Sequence, residues 1–271
     1  MGLIFWSLII SALLTLLWNF SSFGKYWIKW AIFGIVSVIS ATFPIPLMLL
    51  HPRDPKNALI PAAGLRLCSK ILGLSLKVEG LENIVQGTGC VVLINHQSML
   101  DLIVLACLWP KMDNCTVISK KEIFYIQPFG LASWLWGTIF ISRGSKSARE
   151  QVNETGEIIK KRKARVLMFP EGTRNLGKTE LLPFKKGAFH LAVASGVPIQ
   201  PVAVRRYDFL KNYSFENGEI RIKILPGIST TPYSSKNDLS DLIDKTYKVM
   251  SEGVNELSNS INHTNGYTNR K

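Results

Sequence analysis

The first 50 residues of the chain carry two long apolar stretches. Residues 2–24 include no charged residue, and residues 30–50 form a second uncharged run that Pro44 and Pro46 interrupt near its end. Each run is close to the ~20 residues that an α-helix needs to cross the hydrocarbon core of a bilayer. We therefore predict that residues 1–50 form an N-terminal pair of membrane helices.

The sequence leaves the topology of this pair open. The first run has neither a basic start nor a convincing small-residue cleavage site, which disfavours a cleaved signal peptide. Lys25 and Lys29 lie between the runs and four basic side chains follow within residues 51–70, so the positive-inside rule favours a cytosolic position for the rest of the chain. A hairpin that dips into one leaflet would put both basic groups on the same side.

From about residue 51 the pattern changes to that of an α/β domain. Runs rich in β-branched residues predict strands at residues 76–78, 91–94, 116–118, 139–142, 166–169, 199–204 and 220–225. Helical stretches are predicted at residues 148–163, 187–195 and 239–257. This alternation predicts a mixed, largely parallel sheet flanked by helices over residues 51–257. The polar residues 258–271 predict a frayed tail.

A further uncharged run covers residues 123–142, but Pro128, Gly130 and Gly137 interrupt it. A spanning helix here would place the motifs on either side of it on opposite sides of a membrane. We predict an interfacial or buried segment, in which Trp134 and Trp136 suit the headgroup boundary.

Composition narrows the class of partner. The 32 Lys and Arg residues outnumber the 19 Asp and Glu residues, giving a net charge of +13 and therefore an anionic partner surface. The chain shows no zinc-finger, RNA-recognition or helix-turn-helix pattern, and its 47% hydrophobic content favours anionic lipid over nucleic acid. The four cysteines and four histidines lack metal-type spacing, so we expect the cysteines to be reduced and mostly in the core.

The strongest local signal follows the predicted strand at residues 91–94, where the sequence reads N-H-Q-S-M-L-D. His96 and Asp101 do not share a face of one regular helix, but a turn that leads into a helix would bring them together. The carboxylate would then orient the imidazole as a general base for an alcohol. Alternatively, Ser98 and Asp101 form a helix-capping box, and both interpretations can hold. No G-x-S-x-G elbow supports Ser98 as a nucleophile.

Two further predicted strands end in arginine-bearing segments, G-T-I-F-I-S-R at Arg143 and F-P-E-G-T-R at Arg174. Taken singly, each is ordinary strand or turn structure. Glycine in the second segment allows a ligand to approach the backbone, and a guanidinium matches phosphate oxygens. Because ligands bind at the carboxyl ends of strands in open α/β sheets, these segments and His96 predict one phosphate-binding, hydroxyl-activating site.

Two later segments are open to a structural and a functional interpretation. Lys185 and Lys186 precede a predicted helix, where they could hold phosphate charge or simply be solvated. The segment V-P-I-Q-P-V, which begins at Val197, enters a predicted strand and could pack in the core or contact an acyl chain.

In order and spacing, N-H-x-S-x-x-D, G-x-x-F-I-x-R, F-P-E-G-T-R and V-P-I-x-P-V resemble the motifs of the glycerolipid acyltransferases, and of the 1-acylglycerol-3-phosphate acyltransferases in particular. The resemblance covers roughly residues 50–250. It implies transfer of a fatty acyl group from acyl-CoA to the sn-2 hydroxyl of lysophosphatidic acid, giving phosphatidic acid and CoA. It also implies no acyl-enzyme intermediate and no metal or redox cofactor. It implies the endoplasmic-reticulum membrane for a eukaryotic member and the inner membrane for a bacterial one. From the positions of the basic residues we expect the catalytic domain to face the cytosol.

The resemblance also implies roles for individual residues. His96 would be the catalytic base and Asp101 its orienting partner. The glycerol phosphate group would be bound by Arg143, Glu171, Gly172, Thr173 and Arg174, with Lys185 beside them. Val197 and Pro198 would help to shape the acyl site.

Two other function classes stay open at this level. A related acyltransferase would use glycerol 3-phosphate, another lysophospholipid or lysocardiolipin as the acceptor. A non-catalytic scaffold would keep the fold and bind anionic lipid, although the intact His96 and Asp101 pair disfavours it. The sequence does not indicate the acyl-chain preference or the oligomeric state.

Overall fold

The computed structural model describes residues 2–141, 148–175, 180–233 and 238–265. Its helices are α1 (Gly2–Phe20), α2 (Ser22–Thr42), α3 (Ile45–Met48), α4 (Leu59–Ile71), α5 (Asp101–Leu108), α6 (Phe129–Leu135), α7 (Ala148–Arg162), α8 (Gly187–Ser195) and α9 (Asp238–Asn265). Its strands are β1 (Leu74–Glu79), β2 (Cys90–Ile94), β3 (Cys115–Lys120), β4 (Ile139–Ile141), β5 (Arg165–Met168), β6 (Ile199–Val204), β7 (Leu210–Lys211), β8 (Ser214–Phe215) and β9 (Gly218–Ile224).

Within the described residues, seven strands form one sheet in the order β1-β9-β6-β2-β5-β3-β4. β9 is antiparallel to β6, and every other neighbouring pair is parallel. The strands β7 and β8 form a separate antiparallel hairpin. The predicted mixed, largely parallel sheet flanked by helices is confirmed.

Strand β2 shows how sequence produces this layering. All five of its residues are buried. Val92 and Ile94 belong to the core cluster that also contains residues of α2, α4 and α5, whereas Val91 and Leu93 belong to the cluster with α8 and α9. Successive side chains of a strand point to opposite faces, so a strand covered by helices on both faces needs a continuous apolar run.

The parallel strands bring their carboxyl ends to one edge of the sheet. In the register of the sheet, Leu93 lies opposite Met168 and Ile94 opposite Val202. The segments that follow β2, β5 and β6 are therefore neighbours in space although they are far apart in sequence. This edge is the one predicted to hold the site.

The first two helices follow the two apolar runs, with the boundary at Ser21, whose hydroxyl caps α2 by accepting the N–H of Gly24 at 3.0 Å. Consequently α2 includes Lys25 and Lys29, which the sequence predicts to lie between the helices.

Residues Ser22–Met48 are long and apolar enough to cross a membrane, with a mean hydropathy of 2.0 over the most apolar part. Within the described residues this is the one such segment, so the two-helix membrane anchor stays a prediction.

A buried lysine connects helix α2 to the rest of the protein by hydrogen bonds. Lys29 is 1% exposed, and its ammonium group donates to the carbonyl oxygen of Leu72 at 2.7 Å and to Asn217 Oδ1 at 3.1 Å. Leu72 follows α4, and Asn217 precedes β9. The apolar helix is therefore joined to the α/β domain by directional polar contacts as well as by packing.

Two local predictions need correction. Trp136 is 8% exposed and donates its indole N–H to Thr138 Oγ1 at 2.9 Å, so it lies in the core and not at a headgroup boundary. The polar residues 258–265, part of the segment predicted to fray, continue α9 to Asn265, and residues 266–271 lie outside the described residues. A helix that is already packed through Val254 and Leu257 extends at low cost, because each added residue contributes one backbone hydrogen bond.

Candidate active site

His96 and Asp101 meet in the turn between β2 and α5. Because β2 ends at Ile94 and α5 begins at Asp101, His96 lies in the intervening turn. Its Nδ1 is 2.6 Å from Asp101 Oδ2. The side chain of Asp101 is 2% exposed and that of His96 is 21% exposed. A buried carboxylate therefore contacts an imidazole that solvent or substrate can reach.

Several donors fix the Asp101 carboxylate. Oδ2 also accepts the backbone N–H groups of Gln97 at 2.7 Å and Ser98 at 3.1 Å. Oδ1 accepts the hydroxyl of Tyr207 at 2.7 Å. A carboxylate held in this way accepts the Nδ1 proton of His96, which leaves Nε2 as the imidazole nitrogen that can take a proton from a substrate.

Ser98 has a structural role in the same turn. Its hydroxyl oxygen accepts the N–H of Leu100 at 2.9 Å, while the Asp101 carboxylate accepts the N–H of Ser98. In a full capping box the Ser98 hydroxyl would accept the N–H of Asp101, but that N–H donates to the Ser98 carbonyl oxygen at 3.2 Å, and the N-cap residue Leu100 has no side-chain capping bond. The predicted capping box is therefore only half formed, whereas Asp101 contacts both the backbone of Ser98 and the ring of His96.

The loop after β5 supports His96 from another side. The ring of Phe169 stacks on the imidazole, with 4.1 Å between ring centroids and 18° between ring planes. Glu171 is 1% exposed. Its Oε1 accepts the backbone N–H of His96 at 2.8 Å and its Oε2 accepts the N–H of Leu182 at 2.9 Å. Both oxygens of Glu171 thus accept backbone N–H groups, and the side chain lies behind the turn that contains His96.

Gly172 allows a lysine to lie directly over this loop. Its φ is +65°, in the left-handed region, and a Cβ atom at this position would lie 2.7 Å from Lys185 Cδ and 2.8 Å from Lys185 Nζ. The backbone N–H of Lys185 donates to the carbonyl oxygen of Pro170 at 2.8 Å. Thr173 and Arg174 follow and are exposed. Arg174 and Lys185, the two basic residues predicted to bind phosphate, therefore both lie at the loop that supports His96.

Two cavities lie at the turn that contains His96, and Met99 lines both of them. The first has a volume of about 560 Å³ and extends from His96 and Gly172 between α4 and α5. Its walls are mainly apolar and include Ala62, Leu65, Leu105, Ala106 and Trp109. We name it the apolar cavity.

The second cavity has a volume of about 1070 Å³ and opens on the other side of Met99. Basic side chains of Arg174, Arg206 and Lys211 line it. Aromatic side chains from α2 and the β7–β8 hairpin, including Trp27 and Tyr213, complete its wall. We name it the basic cleft, because its composition suits an anionic, amphipathic ligand.

Sequence analysis did not single out Arg206, Tyr207 or Lys211. They follow β6, whose carboxyl end lies on the same edge as that of β2, and this placement is a signal that sequence analysis could have used. Burial lowers the pKa of Arg206 from its ordinary value, and the charge of Glu171 opposes this shift. An arginine keeps its charge under such a shift, so Arg206 is a cation at neutral pH.

Two predicted substrate-binding residues, Val197 and Pro198, do not lie at this site, and a third cannot be placed. Arg143 lies outside the described residues. Val197 is 3% exposed, and the carbonyl oxygen of Pro198 accepts the N–H of Val91 at 3.0 Å. Both precede the amino end of β6, at the sheet edge opposite His96, and they are absent from the walls of the two cavities as described. The turn between α8 and β6 therefore packs in the core, which favours the packing interpretation, and the acyl-site role of Val197 and Pro198 stays a prediction.

Among the residues that the structure describes, no three His, Cys, Asp or Glu side chains are grouped as metal ligands. The absence of a metal or redox cofactor stays a prediction.

Comparison with known proteins identifies the family. The sequence matches the acyltransferase family model over residues 75–205. It is 34% identical to the human 1-acyl-sn-glycerol-3-phosphate acyltransferase alpha over 250 residues, which cover 91% of this chain and 87% of that protein. It is 32% identical to the human beta enzyme, over 90% of each chain. The fold is similar to the crystal structure of the 1-acyl-sn-glycerophosphate acyltransferase PlsC from Thermotoga maritima, with a TM-score of 0.66 and 23% identity over 86% of this chain and 96% of that chain. The chain therefore belongs to the 1-acyl-sn-glycerol-3-phosphate acyltransferase family and is an enzyme of this type.

Proposed function

We propose that the protein transfers a fatty acyl group from acyl-CoA to the sn-2 hydroxyl of 1-acylglycerol 3-phosphate. The observation that carries this proposal is the 2.6 Å contact between His96 Nδ1 and Asp101 Oδ2, beside one apolar and one basic cavity. The activity named for the two human relatives supports the lysophosphatidate acceptor. The proposed products are phosphatidic acid and CoA.

In the proposed mechanism, His96 Nε2 removes the proton of the sn-2 hydroxyl as its oxygen attacks the thioester carbonyl carbon. Asp101 stabilises the imidazolium that forms, because its Oδ2 lies 2.6 Å from the protonated Nδ1. The tetrahedral intermediate then expels the sulfur of CoA, and the imidazolium returns the proton to it. The ester is formed in one displacement without an acyl-enzyme.

The two cavities suggest separate places for the apolar and charged parts of the substrates. The apolar cavity reaches His96 and suits the acyl chain that is transferred. Arg174 and Lys185, next to the catalytic turn, are proposed to bind the phosphate of the acceptor, with Arg143 as a further ligand implied by the resemblance. Arg206 and Lys211 add positive charge to the same cleft.

Glu171 is proposed to act through His96 instead of binding substrate. Both of its carboxylate oxygens already accept backbone N–H groups. In addition, the negative charge of Glu171 would repel the phosphate of the acceptor. Gly172 and Thr173 would contribute the shape and backbone groups of the loop. These assignments modify the substrate-binding role that the resemblance implies for Glu171.

We also propose that the enzyme acts at a membrane surface, with α2 in or on the bilayer and the basic domain against anionic lipid. The apolar segment Ser22–Met48 and the net charge of +13 support this arrangement. For a eukaryotic source, the proposed location is the endoplasmic reticulum with the catalytic domain facing the cytosol.

The experiment that tests the proposal is turnover by purified His96→Ala and Asp101→Asn with oleoyl-CoA and lysophosphatidate. We expect His96→Ala to lose more than about a hundredfold in kcat, the scale of a general base. Asp101→Asn should lose a comparable amount, because an amide in place of the carboxylate would favour the wrong tautomer of His96. His190→Ala is the matched control, since His190 is an exposed residue of α8.

An acceptor panel completes this test. Release of CoA with lysophosphatidate should exceed that with glycerol 3-phosphate and with other lysophospholipids. Near wild-type turnover by His96→Ala would contradict the mechanism and favour a scaffold or a different base. Preference for glycerol 3-phosphate would contradict the acceptor.

A further inference from the structure

The turn that contains His96 is hydrogen-bonded to one segment, residues 204–207, at the carboxyl end of β6. Asn95 forms two hydrogen bonds with the backbone of Val204: its Nδ2 donates to the carbonyl oxygen at 3.0 Å, and its Oδ1 accepts the N–H at 2.7 Å. Gln97 Nε2 donates to the carbonyl oxygen of Arg205 at 2.9 Å. Residues on both sides of His96 are therefore fixed to the same segment.

Tyr207 forms two further hydrogen bonds with this turn. Its backbone N–H donates to Gln97 Oε1 at 3.2 Å, and its hydroxyl donates to Asp101 Oδ1 at 2.7 Å. The residue is 8% exposed, and its ring lies 5.3 Å from that of Phe209. The ring is thus held in place, and the hydroxyl is delivered to Asp101 by a rigid side chain.

The two oxygens of Asp101 have different partners. Oδ2 faces His96 and two backbone N–H groups, whereas Oδ1 faces Tyr207. A donor on the oxygen remote from the histidine fixes the plane of the carboxylate. It also draws negative charge away from the oxygen that stabilises the imidazolium.

We propose that Tyr207 is a positioning residue, whose hydroxyl holds Asp101 in the orientation that engages His96 and sets how strongly Asp101 stabilises the protonated imidazole. This inference rests on the proposed function of His96 as the general base. It extends the His–Asp pair to an ordered chain of hydrogen bonds, Tyr207–Asp101–His96.

The protonation state of Tyr207 agrees with this role. Burial raises the pKa of the Tyr207 hydroxyl well above its ordinary value, and the nearby negative charge of Asp101 raises it further. The hydroxyl therefore keeps its proton throughout the pH range in which the enzyme is assayed. It can act only as a stable donor to Asp101 and not as an acid or base that exchanges protons with the substrate.

A change in the pH–rate profile would also reflect the other ionisable groups around the pair. Cys107 of α5 influences Tyr207, Glu171 contacts the backbone of His96, and the Asp208 carboxylate pairs with Arg205. The cations that line the neighbouring loops are Arg174, Lys185 and Arg206. A test must therefore alter the Tyr207 hydroxyl alone.

Tyr207→Phe removes only this hydroxyl. We expect kcat to fall by roughly 3- to 10-fold, with KM for both substrates within about twofold of wild type, because one hydrogen bond to the carboxylate is lost. The midpoint of the acidic limb of the kcat/KM profile should move to higher pH by a few tenths to about one unit. The reason is that an Asp101 with more concentrated charge holds the imidazolium more tightly.

The control is Tyr247→Phe, which removes a hydroxyl that donates to the carbonyl oxygen of Leu181 at 2.9 Å. This variant should leave the acidic limb unchanged. Replacement of Tyr207 with 3-fluorotyrosine keeps the ring and makes the phenol a stronger donor, so the limb should move to lower pH. Opposite shifts for the two Tyr207 replacements are not expected from a purely structural role.

Parallel assays of His96→Ala separate the two levels of the proposal. If His96→Ala keeps its activity, the proposed function of His96 fails. If His96→Ala is inactive but both Tyr207 replacements show the wild-type kcat and acidic limb, the role of Tyr207 fails alone. A loss of activity without any movement of the limb also overturns that role. If Tyr207→Phe does not fold, the direction of the shift with 3-fluorotyrosine decides the question.

Discussion

The carboxylate of Glu171 accepts the backbone N–H of His96 at 2.8 Å, so the loop after β5 holds the turn after β2. The other oxygen of Glu171 accepts the N–H of Leu182, which connects a third segment to the same point. A single buried side chain thus joins two motifs that are 75 positions apart and the stretch that leads to Lys185.

This relationship predicts the effect of Glu171→Gln. The amide NH2 of glutamine would face one of the two backbone N–H groups, so one buried donor would lose its acceptor. The free energy of unfolding should fall by about 1–3 kcal/mol. We expect kcat to fall by roughly tenfold with little change in KM, because the backbone of His96 would shift. Chemical denaturation and steady-state kinetics measure the two effects.

Glu180→Gln is the control for this variant, because Glu180 is exposed and lies in the segment that leads to Leu182. It should match the wild type in both measurements. An increase in KM for lysophosphatidate in Glu171→Gln, with kcat unchanged, would indicate that Glu171 contacts the substrate directly.

Gly172→Ala tests the position of Lys185. The added methyl group would meet the Lys185 side chain at 2.7–2.8 Å and displace its ammonium group from the loop. We expect KM for lysophosphatidate to rise by roughly 3- to 10-fold, as expected when one charge-assisted contact is weakened. Kinetics at varied lysophosphatidate and saturating oleoyl-CoA measure this effect.

Gly87→Ala provides a matched control for backbone strain. Gly87 has φ +77°, close to the +65° of Gly172, but an added Cβ there meets nothing within 4 Å. Both variants should lose a similar, small amount of stability, of order 1 kcal/mol. Equal KM values in the two variants would show that Lys185 does not bind the acceptor.

Leu105→Trp tests the apolar cavity as the acyl-chain site. Leu105 is half-buried in α5 and lines this cavity, so a larger side chain would shorten the available space. We expect kcat/KM to fall by at least about tenfold for oleoyl-CoA and much less for a medium-chain acyl-CoA, because overpacking costs about 1–3 kcal/mol only when the long chain is bound. The ratio of kcat/KM for the two donors is the measurement.

Leu81→Trp is the control for a large apolar substitution, because Leu81 is 43% exposed and lies outside the cavity walls. Its donor preference should equal that of the wild type. A donor preference that is unchanged in Leu105→Trp would place the acyl chain elsewhere.

Both the site and the fold could be predicted where the information is local. The range of β6 and that of α8 match the prediction because each is mainly apolar and has a clear boundary. The contact between His96 and Asp101 was predictable because a short turn separates them. Tyr207 was not predictable in this way, since it reaches Asp101 across 106 positions and only the order of the strands brings them together.

Two other features escaped sequence analysis for physical reasons. Helix α4 is absent from the predicted elements. Its sequence contains Pro61 and Gly64, which weaken a helical pattern, but Pro61 lies in the first turn, where proline is tolerated. The core position of Trp136 depends on Thr138, which satisfies its indole N–H. Tertiary contacts of this kind are not encoded in local hydropathy.

The buried thiols predict how stability and reactivity depend on pH. Burial raises the pKa of Cys68, Cys90 and Cys107 to about 11, and that of Cys115 still further. In the unfolded chain the thiols ionise at about pH 8.5–9, so this contribution to the free energy of unfolding is constant at lower pH. It should be lost progressively as the pH rises from about 9 to about 11, because only the unfolded state then releases these protons.

The same thiols should react slowly with a thiol reagent in the folded enzyme at about pH 7.5, and all four should react after denaturation. Loss of activity that follows rapid modification of the folded enzyme would contradict this burial. Denaturation curves at several pH values and timed labelling measure the two consequences.

The contacts of Lys29 with Leu72 and Asn217 have a consequence for where catalysis takes place. An apolar helix joined to its domain by a flexible linker acts as a tether, and the domain can then rotate and drift above the lipid. Here the contacts of Lys29 hold the helix in one fixed position relative to the domain. If α2 lies in or on a bilayer, its depth and tilt would also fix the height of the His96 imidazole above the membrane. The depth of the helix would then determine which part of a lipid molecule reaches this imidazole.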